Sequence, residues 1–379
     1  MSVPVSRRAG VPARHAEPAA PGDISDAVRM RAFRQAINEA LHEAMARDDR
    51  TFIMGEGVDD PKLIFGSTAG LKERFGPERV FDIPLSENGM TGVIIGAALA
   101  GMRPIMTHQR IDFTLYAMDQ IANHAAKRCY ASGGRQSVPI TIRALVGCGW
   151  GQGPQHSQSL QSVFAHIPGL KVVMPSSAYD AKGLLISSIE DNNPVIFIEH
   201  RRLYEIEDDV PDGHYKVPLG RGVVKCEGKD VTVVAVSLMV FESIRARQAL
   251  AEAGIDAEIV DPRTIKPLDV NLILESVRKT GRLVIVDTAW KTCGFSAEIA
   301  ALAAEECFGA LKAPIRRVTL PDVPTPTTSA LEKIYYPGAL DIARAACDVM
   351  GLGGKVPPAV EASIAGMTTP TAPQFFGPF

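Results

Sequence analysis

The sequence predicts an α/β protein of two domains, each a mostly parallel sheet covered by helices. Three observations lead there. At 379 residues the chain exceeds one ordinary domain, and its 46% hydrophobic content suffices for two cores. Short β-branched runs alternate with helix-period segments along most of its length, as in sheets buried on both faces. Between two such stretches, residues 205–218 (EIEDDVPDGHYKVP) gather acids, prolines and a glycine.

Residues 1–28 carry Arg7, Arg8 and Arg14 with few acids, as transit peptides do. Pro4, Pro12, Pro18 and Pro21 would interrupt the amphipathic helix of such a signal, so a disordered extension is expected there. A helical pattern opens at Met30, with Phe33, Ile37, Ala40, Leu41 and Ala44 at helix spacing. Thr51 to Met54, Ile140 to Ile142, Lys171 to Val173 and Val195 to Ile198 read as strands, giving a first domain at 29–204. Residues 205–218 read as an exposed linker. A smaller domain at 219–350 runs strand (Val231–Ser237), helix (Phe241–Ala253), strand (Ala257–Val260), helix (Asp269–Thr280), strand (Leu283–Val286). From 351 to 379 Gly, Pro, Thr and Ala suggest a flexible tail, ending in Phe375, Phe376 and Phe379.

The balance of charge excludes some partners. A net charge of -3 and a pI near 6.3 give no field that gathers nucleic acid or anionic membrane. Cys129, Cys148, Cys226, Cys293, Cys307 and Cys347 form no CxxC, so neither a zinc site nor a redox pair is spelled out. Gly89 to Met102, the longest apolar stretch, falls short of the about 20 residues a membrane helix needs. The cytoplasm is the expected compartment, with the mitochondrial matrix as the alternative.

Two segments are candidates for chemistry. In LSENGMTG, Glu87 stands just ahead of the small-residue helix Gly92 to Gly101, and small residues let other backbones approach and enclose it. Read alone, Glu87 also suits an acid complementing a helix dipole. Gly147 to Gln158 (GCGWGQGPQHSQ) is a glycine-rich loop of the kind that forms mobile pocket walls, and it carries His156, either a proton donor and acceptor or a hydrogen-bonded loop histidine. Neither GxxxxGK[ST] nor a strand, GxGxxG, helix unit supports nucleotide binding.

LSENGMTG, AMDQIANHAAK, GPQHSQ, HIPGLKVVMPSSAYDAKGLL, DNNPV, DPRTIKPLD, GFSAEIA and LPDVP, in this order between about Met30 and Met350, resemble the β subunits of pyruvate, branched-chain and acetoin dehydrogenase first components. The resemblance implies a transketolase-like pyrimidine-binding domain followed by a transketolase C-terminal domain. It implies thiamine diphosphate as cofactor, a 2-oxoacid as substrate and lipoamide as acyl acceptor. Glu87 then matches the glutamate that activates the cofactor through its aminopyrimidine, and enclosure in an apolar pocket would raise its pKa. Phe113 matches the phenylalanine stacked on the pyrimidine, although an ordinary core aromatic is equally consistent with the residue itself. His156 matches the channel histidine implicated in proton transfer to lipoyl groups. Backbone carbonyls of Ile140, Ser188, Asp191 and Asn193 match those that hold a monovalent cation, K+, in the family.

An absence matters as much. No GDG followed by NN, the signature with which the superfamily holds magnesium and diphosphate, is present, and the resemblance then implies that Mg2+ and the diphosphate fall to an α subunit, in an α2β2 heterotetramer that also engages a lipoyl-bearing dihydrolipoyl acyltransferase. The chain departs from better-known relatives at His108, Gln109 and Arg110. Arg110 suits a carboxylate or phosphate, or a pair with Asp112 or a partner's acid, and Arg201 and Arg202 pose the same choice. A tail with three phenylalanines could block, replace or augment docking of the acyltransferase. Two other functions compete: a transketolase-like carboligase working without lipoamide, and a non-catalytic scaffold.

Overall fold

The computed structural model describes residues 25–147 and 151–367. Most of the expected extension, Cys148 and the three terminal phenylalanines lie outside them. The strands are β1 (Ser25–Ala32), β2 (Thr51–Gly55), β3 (Val80–Asp82), β4 (Arg103–His108), β5 (Thr141–Val146), β6 (Lys171–Val173), β7 (Val195–His200), β8 (Glu207–Asp212), β9 (Val223–Cys226), β10 (Val231–Ala235), β11 (Ala257–Asp261), β12 (Thr264–Lys266), β13 (Leu283–Trp290) and β14 (Arg316–Leu320).

They form two main sheets. The first has the order β12-β6-β7-β5-β4-β2-β3 and the second β14-β13-β10-β11-β9. All pairings in the first are parallel except β12 with β6, and in the second all except β11 with β9. Residues of β5, β7 and β10 are buried throughout, because helices cover both faces. The intervening helices start and stop on local signals. Ser177 Oγ accepts from Asp180 N to cap the helix Ala178–Glu190. Asp269 caps Val270–Thr280, which ends on Gly281 at φ 71°. No helix among the described residues is long and apolar enough to cross a membrane.

Four expectations need correction. The first helix spans Phe33–Arg47, and residues before it belong to β1, which pairs antiparallel with β8. The stretch 205–218 is therefore more than an exposed linker. It supplies β8 and buries Tyr215, whose hydroxyl donates to the Tyr179 carbonyl at 2.8 Å. Beyond residue 350, Pro358–Gly366 forms a helix with Val360 fully buried in the core of the second domain, so this part of the tail is packed. Finally, β12 comes from the second domain yet completes the edge of the first sheet.

Buried charges also join the domains. Asp180 accepts from Lys225 Nζ at 2.7 Å and pairs with Arg263 Nε at 2.9 Å. Burial works to raise this carboxyl, but Arg263 and Lys225 hold it well below the ordinary range. Ser176 Oγ donates to Asp261 at 2.5 Å beside them. Removing one member would strand a buried charge, which typically costs about 3–5 kcal/mol.

Candidate active site

Because β3, β2, β4 and β5 are parallel neighbours, the segments leaving their C-terminal ends emerge along one sheet edge, the usual place for ligands in open α/β sheets. Glu56 follows β2. Glu87 is the first residue of the helix Glu87–Leu99, reached from β3. Arg110 and the short helix Ile111–Thr114 follow β4, and the glycine-rich loop follows β5.

Glu87 is half-buried, with Leu85 84% exposed and Ser86, Asn88 and Gly89 exposed around it. The chain alone thus leaves the helix terminus open and does not provide the enclosure expected from the sequence. Among the described residues Glu87 forms no hydrogen bond or ion pair. Its strongest relationship is with Glu56, a residue the sequence reading missed. Partial burial, the charge of Glu87 and that of Asp82 push Glu56 up to about 7. Glu56 Oε1 is buried without a hydrogen-bond partner, leaving a polar atom that the chain does not satisfy.

Phe113 and His156 are brought into contact. Their rings meet edge to face, 5.3 Å between centroids and 90° between planes, and Tyr116 stacks on Phe113 at 6.4 Å. Both Phe113 and His156 are half-buried. No direct bond joins either to Glu87.

The loop carrying His156 is clasped at several points rather than loosely hung. Arg110 Nη2 donates to Gln152 Oε1 at 2.8 Å, and Gln158 Nε2 donates to Asp112 Oδ1 at 2.7 Å. Gln161 Nε2 donates to Asp287 Oδ1 at 2.7 Å, and Ser159 Oγ to Thr288 Oγ1 at 3.4 Å, both from the second domain. Gly151 and Gly153 have φ of +66° and +69°, and a Cβ on either would lie 2.8 Å from an oxygen of Thr327. These two glycines are therefore required both by backbone conformation and by close approach.

Of the polar triplet at the end of β4, Arg110 works in this clasp. Arg110 donates to the carbonyls of Gln109 and Gln152, not to a carboxylate. His108 is fully buried and brought down to about 4, which keeps it neutral at pH 7. Arg201 lies over the Phe65 ring at 3.0 Å, and burial, partly countered by Tyr204 but assisted by Arg110, brings it down to about 9. Arg202 lies over Tyr336 at 5.5 Å.

The four cation-site residues cluster at the opposite, N-terminal edge of the same sheet, where Thr141 is in register with Val195. The Ile140 carbonyl accepts from Val195 N at 3.0 Å, that of Ser188 from Thr141 Oγ1 at 3.1 Å, and that of Asp191 from Arg103 Nη1 at 3.0 Å. Asn193 N donates to Asp191 Oδ1 at 2.8 Å. The Ser188 carbonyl also accepts from Asp191 N at 3.3 Å, so a second lone pair remains on the carbonyls of Ile140 and Asp191, and the end of the helix Ala178–Glu190 contributes negative potential. Arg103 and Lys171, the latter paired with Asp191, bring competing positive charge.

The paired acids on an open rim, an unmatched buried oxygen and a half-exposed aromatic ring suit the edge and face of a pyrimidine. Comparison with known proteins agrees in architecture. Residues 29–207 match the transketolase pyrimidine-binding domain and 220–342 the transketolase C-terminal domain. A split-gene transketolase, described as an inactive β4 tetramer, superposes with TM-score 0.69 at 24% identity, covering 85% of this chain and 98% of that one. The β subunit of acetoin:2,6-dichlorophenolindophenol oxidoreductase from Cupriavidus necator is 47% identical, over 86% of this chain and 99% of its own. The pyruvate dehydrogenase E1 component β subunit of Rickettsia felis is 44% identical, over 82% and 96% respectively. For the 2-oxoisovalerate dehydrogenase β subunit of Bacillus subtilis the figures are 45%, 79% and 92%. With both domains matched in order and these relatives matched along nearly their whole length, the chain belongs to the transketolase-like family of 2-oxoacid dehydrogenase β subunits.

Proposed function

We propose that this β subunit joins an α subunit, as an α2β2 heterotetramer, to decarboxylate a 2-oxoacid oxidatively and pass the acyl group to lipoamide on a dihydrolipoyl acyltransferase. The observation that carries the reading is the Glu56 and Glu87 pair at the open end of the sheet that also presents Phe113 and His156. Thiamine diphosphate, when bound, supplies the electron sink that decarboxylation needs.

This chain's residues then have distinct tasks. Glu87 holds a proton against the pyrimidine edge, at the amino end of a helix where a carboxylate is well placed. Partial burial and the charge of the nearby Glu87 raise the proton affinity of Glu56, so Glu56 stands beside Glu87 as a store for the proton exchanged at the pyrimidine edge. Phe113 offers its ring to the pyrimidine face, and contact with that ring fixes His156 as a proton carrier in the channel. Mg2+ and the diphosphate are assigned to the α subunit, and K+ to the carbonyls of Ile140, Ser188, Asp191 and Asn193.

Reconstitution of a Glu87→Gln chain with its α subunit tests the reading. Decarboxylation should fall by about 10²-fold or more, the usual scale for a positioned acid or base. Normal turnover by the reconstituted variant would sink it. Acyl-lipoamide formation by the unaltered pair distinguishes the dehydrogenase from a carboligase, whose product forms without lipoamide.

A further inference from the structure

The second sheet has a switch point of its own. From β10 the chain moves to β11 on one side, then returns to β13 and β14 on the other, so β10 and β13 flank the reversal. Crevices beyond the carboxyl ends of strands at such a reversal are general ligand sites. A cavity of about 490 Å³ lies there, reached by Leu238 after β10, Thr288 in β13 and Leu320 closing β14. Its size falls within the range of small-molecule sites, about 300–1,000 Å³.

The charges lining it are unequal in their commitments. Glu242 accepts from Arg245 Nη1 at 2.7 Å and from Ala339 N at 3.1 Å, while Asp341 accepts from Gly338 N and Arg344 Nη1, both at 3.0 Å. Both acids are thus engaged in fixing the start of the helix Ala339–Cys347 and in neutralising arginines. Two other cations are not so engaged. Arg202, from the first domain, packs its guanidinium on Tyr336, and its Nε is buried without a hydrogen-bond partner. Glu332 lies within electrostatic range of Arg202 but forms no ion pair with it. Lys333, from the second domain, is exposed and makes no ion pair among the described residues. His200 at the rim is brought down to about 3 by burial and the charge of Arg202, so it stays neutral near pH 7. Leu238, Met239 and Ile364 supply an apolar wall.

We propose that this cavity binds a phosphate monoester with an apolar body, its phosphate held between Arg202 and Lys333 and its body against Leu238, Met239 and Ile364. A dianion suits two cations contributed by different domains, and a planar guanidinium with an unused N–H matches phosphate oxygens. The neighbouring carboxylates of Glu242 and Asp341 would repel an anion, but each is already offset by an arginine and a backbone amide. The ligand therefore bridges the domains. Neither Glu87 nor His156 lines the cavity.

The test is calorimetric titration of the full-length chain with phenyl phosphate, with benzoate as comparison. Phenyl phosphate should bind, and benzoate should bind at least about tenfold more weakly, because a single negative charge meets two cations. The double substitution Arg202→Gln, Lys333→Gln should weaken phenyl phosphate by about a hundredfold. Met239→Trp, which fills the apolar wall, should abolish binding in a chain whose circular dichroism is unchanged. Glu87→Gln should bind phenyl phosphate normally, which separates this site from the proposed cofactor site. Absence of binding at millimolar phenyl phosphate, undiminished affinity in the double variant, or equal affinity for benzoate would each overturn the assignment.

Discussion

His156 presents its imidazole perpendicular to the ring of Phe113, 5.3 Å away, so the two residues share one position in the cleft. His156→Ala should therefore separate two half-reactions. In the reconstituted enzyme, acyl transfer to lipoamide should fall by about 10²-fold or more, while decarboxylation read with an artificial electron acceptor should fall much less. Equal losses in both assays would instead mark His156 as a residue that merely shapes the pocket.

Glu56 makes a second case. Burial and the charges of Glu87 and Asp82 raise it to about 7, so its neutral form is favoured by folding. The resulting stability is present below the ordinary carboxylate range and is lost as pH rises through about 7. Glu56→Gln should consequently be more stable than the unaltered chain at pH 8 but not at pH 4. In Glu87→Gln the titration of Glu56, followed by carboxyl NMR, should move down, since one of its two charged neighbours is gone.

Arg110 holds the loop through Gln152, and Arg110→Ala removes that bond along with a buried, partly apolar stem. A cost of about 1–3 kcal/mol is expected, expressed mainly as easier opening of the loop. Limited proteolysis should then cut near Gln152 well before the rest of the chain. Cleavage at the unaltered rate would show that Gln158 and Gln161 suffice to hold the loop.

Asp287 is fully buried and pushed up to about 6 by burial, against the hydrogen bonds of Gln161 and nearby backbone amides. Its folded value lies above its unfolded one. Stability from the protonated acid is complete below the ordinary carboxylate range and disappears as pH climbs through about 6. At neutral pH the cost is on the order of 2–3 kcal/mol. Asp287→Asn removes that cost and offers a donor to Gln161 Oε1, which now lacks a partner. Thermal melts should show the variant more stable at pH 8 and nearly matched at pH 4.

Legibility in the sequence followed the range of the interactions. Buried parallel strands such as Val231–Ala235 are continuous β-branched runs, so their position was plain from neighbours in the chain. In contrast, β8 contains three aspartates and a proline and is a strand only because β1, some 180 residues earlier, pairs with it. No local pattern announces such a partner. Phe113 and His156 were singled out through the family resemblance, and the structure adds that their rings touch. Glu56 gave a weaker signal, an acid directly after a predicted strand, where the end of a parallel sheet meets its cleft. The clasp on the loop was hidden because its donors, Arg110 and Gln161, bond to residues far away in the chain, Gln161 to one in the second domain.

By lending Thr264–Lys266 to a sheet otherwise made by residues before 205, the second unit covers an amide row that β6 would otherwise present to solvent. A gene cut at residue 218 would yield a first half with a bare flank, prone to self-association, and a second half missing its anchor. Heating should accordingly produce a single calorimetric peak, because neither half has a native state to retain once the other melts.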